Sequence, residues 1–112
     1  MKIIISERFE KKYFKWFEKY FSLEDFCNHL KSKNHTLILL HTPFQKFKWH
    51  IGNTHIRAVV VLIQWNVIPL TLFLKKDKNY GENVSWQTQR IIIIEEYNIV
   101  TQDISDWKYK VY

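Results

Sequence analysis

Glycine and proline are scarce, two of each in 112 residues, and cysteine occurs once, at Cys27. So little of either turn former leaves no room for collagen-like, linker-like or low-complexity tracts. A lone cysteine excludes an internal disulfide, and no Cys/His set has zinc-site spacing, so neither an oxidising compartment nor a structural metal is indicated. A reducing cytoplasm is the expected location. The sequence also lacks a P-loop, a dinucleotide-type glycine pattern, a nucleophile elbow and a close pair of carboxylates. Nucleotide hydrolysis, serine-hydrolase and glycosidase chemistry are thereby left without support. The apolar run after Lys2 ends at Ile5, so no targeting segment is expected.

Apolar residues make up 46% of the chain and aromatic ones 17%. A chain of this size buries about two-thirds of its unfolded surface. One compact domain over residues 1–112 is the expectation, with no repeat or linker marking a second. The stretch Ala58 to Leu74 is nearly uncharged between Arg57 and Lys75-Lys76. It is shorter than the roughly 20 apolar residues of a spanning helix, and Gln64, Asn66, Pro69 and Thr71 interrupt it. A buried β-hairpin is expected instead, with no membrane partner.

Net charge is +6, concentrated in the middle: residues 44–80 carry Lys46, Lys48, Arg57, Lys75, Lys76 and Lys78 against Asp77 alone. Such a field attracts nucleic acid, anionic lipid or an acidic protein without choosing among them.

Lys2 to Ile5 reads as a short strand. Phe9, Tyr13, Trp16, Phe17 and Tyr20 then form one stripe of a helix over about 7–21. Ser22 with Asp25 three residues on is a capping signal, and Leu23, Phe26, Cys27 and Leu30 form a second stripe, completing an N-terminal helical hairpin. Both stripes are expected in the core. Lys46 to Ile51, Thr54 to Gln64 and Val67 to Leu74 are β-branched and aromatic, separated by Gly52-Asn53 and Trp65-Asn66, and predict a meander. Pro69 cannot donate a ladder hydrogen bond, so the third strand lies at an edge or bulges there. Trp86, Arg90, Ile93, Ile94 and Tyr97 predict a terminal helix capped by Asn83 or Ser85, although the β-branched run Ile91 to Ile94 also suits a strand. The expected fold is α+β: a small antiparallel sheet packed against an N-terminal helical hairpin, with a C-terminal helix.

Two-residue loops would set Lys48 opposite Arg57, His50 opposite His55 and Arg57 opposite Leu74, with Lys76 diagonal to Arg57. Val59, Val61 and Ile63 continue the same face as an apolar patch that needs a cover. Facing like charges destabilise a sheet, and an anion would relieve them; the plain alternative is that the long side chains splay into water. His50 and His55 lack an evident third ligand for a metal. Tyr80, after Lys75, Lys76 and Lys78, is placed either to transfer a proton or to pack under its loop.

In this order of elements the chain resembles the RelE/ParE superfamily of toxins from toxin–antitoxin systems. Lys2-Ile3-Ile4-Ile5-Ser6-Glu7-Arg8-Phe9 looks like the family's first strand and helix start. Leu39 to Phe44, Trp49-His50-Ile51-Gly52 and Ile56-Arg57-Ala58-Val59 look like the segment leading into its arginine-bearing strand. Leu74-Lys75-Lys76-Asp77-Lys78-Asn79-Tyr80 is similar to the loop where messenger-RNA-cleaving members place a histidine or arginine, a lysine and then a tyrosine. The resemblance implies a RelE-like fold and a cytoplasmic endoribonuclease that needs no metal or cofactor and cleaves mRNA in association with the ribosome. By the same resemblance Arg57 is the phosphate clamp, Lys76 or Lys48 a base or electrostatic stabiliser, Tyr80 the acid and His50 an alternative acid or base. Lys46, Lys75, Lys78 and His55 are expected to bind RNA, and an acidic antitoxin is expected to cover the apolar face and neutralise Lys48, Arg57 and Lys76. The chain reads Leu74-Lys75 where many nucleases have histidine-arginine, so bidentate phosphate recognition is lost there. A ParE-like DNA gyrase inhibitor and a non-catalytic RNA-binding or ribosome-binding module are the alternatives.

Overall fold

The structure is a computed structural model that describes residues 1–33, 36–77 and 85–112. Strand β1 (Lys2–Ser6) leads into helix α1 (Glu7–Lys12), a 3₁₀ turn (Phe14–Trp16) and helix α2 (Leu23–Ser32). Strands β2 (Ile38–His41), β3 (Phe44–Ile51), β4 (Thr54–Ile63) and β5 (Asn66–Leu74) follow, then helix α3 (Trp86–Ser105) and strand β6 (Tyr109–Val111). The six strands form one sheet in the order β2-β3-β4-β5-β1-β6.

The sheet is larger than the expected meander and is mixed, because β1 pairs parallel to β5 while the other pairings are antiparallel. Strands β2 and β6 were not expected; each is too short to show a periodicity of its own.

The helix expected over 7–21 stops at Lys12 and passes into the 3₁₀ turn. Phe9, Tyr13, Phe14, Phe17 and Phe21 are all buried. Tightening the chain after Tyr13 changes the angular spacing of the later residues, so that Phe14 and Phe21 turn inward on the same core as Phe9 and Tyr13. Trp16 (67% exposed) and Tyr20 (37%), both assigned to the buried stripe, stay outside.

Helix α2 begins as expected, Ser22 Oγ accepting the Asp25 amide at 3.0 Å. Ser22→Ala is expected to lower stability by about 1 kcal/mol, read as a lower urea midpoint at unchanged m-value, with Ser22→Asp restoring it.

Each face of the sheet has its own core. Ile3, Ile5, Phe47, Trp49, Ile56, Ala58, Val60 and Leu72 pack with the aromatic residues of α1, the 3₁₀ turn and α2. Phe44, Val59, Val61, Ile68 and Leu70 pack against Ile93 and Val100 of α3. Strand β4 is thus buried on both faces over residues 58–61, which is why it reads as an unbroken apolar run.

Residues 86–105 form a helix, with Ser85 as its cap; Asn83, the other candidate, lies outside the described residues. Its buried stripe is Gln89, Ile93, Glu96 and Val100, whereas Arg90 and Ile94 are exposed. This helix covers the Val59 and Val61 face that an antitoxin was expected to cover. Among the described residues no helix is long and apolar enough to cross a membrane.

Glu96 is fully buried and fixes α1 to α3. Arg8 donates Nε to Oε2 and Nη2 to Oε1, each at 2.9 Å, and Lys12 Nζ donates to Oε1 at 2.9 Å. Burial pushes the carboxyl up, but the bonds and charges of Arg8 and Lys12 outweigh it and hold Glu96 below its ordinary value.

Candidate functional site

The β3–β4 hairpin turns at Gly52-Asn53, with Gly52 at φ +56°, a left-handed conformation that glycine adopts without strain. The pairing matches the sequence reading: Ile51 opposite Thr54, His50 opposite His55, Lys48 opposite Arg57. Alternation places Lys46, Lys48, His50, His55 and Arg57 on one face. The His50 and His55 rings lie 5.4 Å apart, centroid to centroid. Lys48 and both histidines are exposed, while Arg57 is half-buried and donates Nη1 to the Ile56 carbonyl at 2.8 Å. Burial lowers the Arg57 pKa from its ordinary value; a guanidinium remains a cation at neutral pH. Among the described residues no carboxylate lies within ion-pair distance of Lys48 or Arg57.

The β4–β5 register differs from the expected one. The loop is Gln64-Trp65, with both residues at positive φ, rather than Trp65-Asn66. The pairing then shifts by one residue, since Val60 faces Pro69 while Val59 faces Thr71. This is the bulge expected at Pro69, where the ladder lacks a donor. Arg57 therefore faces Phe73, and Leu74 faces Ile56. Lys76 moves off the diagonal from Arg57, and Lys75 takes the position two beyond Phe73. The Lys75 amide donates to the His55 carbonyl at 2.8 Å.

Lys75 and Lys76 instead line a cleft of about 440 Å³ with Tyr20, Asn53, Thr54, His55 and Leu74. Of the residues expected to bind or cleave RNA, this cleft holds His55, Lys75 and Lys76. Lys46, Lys48, His50 and Arg57 are on the sheet face outside it. Tyr80 and Lys78 fall outside the described residues. Tyr20 was missed because its spacing fits the buried stripe. No local signal separated it from the buried rings: Lys19 lies 5.1 Å from the Tyr20 ring centroid, but Lys12 sits in the same way over the buried Tyr13.

Among the described residues no set of three His, Cys, Asp or Glu side chains is placed to hold a metal ion. Cys27 is buried, and burial pushes its thiol up to about 12, so it carries no nucleophilic role. What this region offers is positive charge, hydrogen-bond donors and titratable imidazoles, a set suited to binding a phosphodiester and moving protons around it. No family model, curated protein or solved structure matches the chain.

Proposed function

We propose that this chain is a toxin of the RelE/ParE kind: a cytoplasmic, metal-independent endoribonuclease acting on mRNA in association with the ribosome, and restrained by an acidic antitoxin. The observation that supports this reading is the facing Lys48 and Arg57, with no carboxylate within ion-pair distance among the described residues and the His50 and His55 pair beside them. A phosphodiester laid across these strands relieves the like-charge repulsion.

In the proposed reaction the RNA 2′-oxygen attacks its neighbouring phosphorus and the P–O5′ bond breaks, leaving a 2′,3′-cyclic phosphate and a 5′-hydroxyl. One group takes the 2′ proton and another supplies the 5′ proton. Arg57 clamps the phosphoryl oxygens. Lys48 stabilises the developing charge on the same face, and His50 serves as acid or base. Lys76 and Lys75 hold the flanking strand from the neighbouring cleft, and Tyr80 remains the acid that the resemblance implies. Because α3 fills the apolar face, the antitoxin's acidic segment is assigned to the cationic end of the sheet.

Free mRNA and ribosome-bound mRNA, incubated with the protein in excess chelator, test the reading. Cyclic-phosphate and 5′-hydroxyl ends are expected, and Arg57→Ala should slow cleavage about 100- to 1,000-fold. Cleavage that stops in chelator, or that ignores Arg57→Ala, overturns it; DNA damage with intact RNA marks the gyrase inhibitor instead. One observation favours a non-catalytic RNA-binding or ribosome-binding module: Arg57 bonds a carbonyl of its own strand and lies outside the cleft. Binding without cleavage identifies that module.

A further inference from the structure

Three lysine-aromatic pairs recur within ten residues: Lys12-Tyr13, Lys15-Trp16 and Lys19-Tyr20. Tyr13 is buried, but Trp16 and Tyr20 are exposed. The Lys15 ammonium lies 5.2 Å from the Trp16 ring centroid, and that of Lys19 lies 5.1 Å from the Tyr20 centroid. The 440 Å³ cleft beside Lys75 and Lys76 does not end at Tyr20. A second cleft of about 370 Å³ shares Tyr20 and Leu74 with it and continues to Trp16. Each volume falls within the roughly 300–1,000 Å³ of small-molecule sites, enough for a base.

We infer that these two clefts form one track for an unpaired RNA strand, with Tyr20 and Trp16 each stacking a base and His55, Lys75 and Lys76 holding phosphate at one end. The assignment rests on the RNA-binding reading above and extends it away from the sheet face to the segment after α1. Single strands are gripped by cations along the backbone and by aromatic rings that accept any base, and this groove presents both in alternation. Between the two rings the second cleft is lined by Phe17, Leu72, Phe73 and Leu74, with Lys12, Lys19 and the carboxylate of Asp77 beside them. A cleft of this kind with cations along it fits a strand of separate bases better than a flat lipid surface.

The test measures fluorescence anisotropy of the full chain with a fully 2′-O-methylated single-stranded oligonucleotide, which has no free 2′-hydroxyl and resists cleavage. Tyr20→Leu and Trp16→Leu are each expected to weaken binding about 5- to 150-fold, while Tyr20→Phe and Trp16→Phe retain it. Neither leucine variant should change the salt dependence. Lys75→Ala with Lys76→Ala should reduce the slope of log affinity against log salt by about 1.4. A duplex of the same sequence should be indifferent to Tyr20 and Trp16. Wild-type affinity in both leucine variants overturns the track, as does an equal loss on single strand and duplex. A response to Trp16→Leu seen with phosphatidylserine vesicles but not with RNA also overturns it. Because the probe cannot be cut, a protein that binds through Tyr20 without cleaving RNA refutes the nuclease and keeps the track. A protein that cleaves normally with both rings removed does the reverse.

Discussion

Arg8→Met is expected to destabilise the fold by about 3–5 kcal/mol at pH 7, because it leaves the buried Glu96 carboxylate with Lys12 as its one remaining cation among the described residues. Methionine keeps most of the stem volume, so the loss reports on charge and hydrogen bonding. The guanidinium fork grips both carboxylate oxygens, whereas Lys12 reaches Oε1 from a side chain 42% exposed. Lys12→Ala should accordingly cost less. In the wild type the folded carboxyl sits below its ordinary value of 4.5. Its contribution is present above about pH 4.5 and fades as the pH falls through the folded value. In Arg8→Met the same burial favours the neutral acid, so the deficit should shrink on acidification. Urea unfolding of both proteins at pH 7 and pH 4 decides it. A deficit of equal size at both would assign the effect to packing.

Phe26→Ala is expected to cost about 3–5 kcal/mol. Phe26 is fully buried, with its ring 5.9 Å from Phe9, 6.1 Å from Phe21 and Trp49, and 6.4 Å from Phe14 and Phe47. It is where α2, the 3₁₀ segment and the sheet meet, so several stiff aromatic rings would have to move together to fill the void. At about 4–8 °C per kcal/mol for a domain near this size, the melting temperature should fall by roughly 12–40 °C. A shift of a few degrees would mean that the cluster closes over the gap. Phe26→Leu, which leaves a smaller cavity, should lose distinctly less.

The sequence could be read where a local device fixes the geometry. Gly52-Asn53 sets the β3–β4 register, so the facing Lys48 and Arg57 and the facing histidines follow from counting outward. Ser22 marks the start of α2 for a similar reason. The β4–β5 pairing resisted because its loop puts Gln64 and Trp65 at positive φ, where glycine or asparagine is the usual signal. The bulge at Pro69 then displaces Lys76 from Arg57. Glu96 gave no local sign, since its partner Arg8 is 88 residues away and a buried glutamate looks like any surface one in a helix. Trp16 and Tyr20 misled because their spacing continues the helical stripe of Phe9 and Tyr13, whereas the chain leaves the helix at Lys12 for a 3₁₀ turn and carries them outside.

Strand β1 lies between β5 and β6, and the backbone of Ile3 exchanges two hydrogen bonds with Tyr112. That ladder closes a loop of more than a hundred residues, a slow step because chain entropy is lost before the contact forms. The β1–β6 pairing has to wait for residues 109–112 to be made, long after β1, whereas the pairings from β2 to β1 do not depend on them. Until that pairing forms, the β1 edge stays open to whatever strand it meets first.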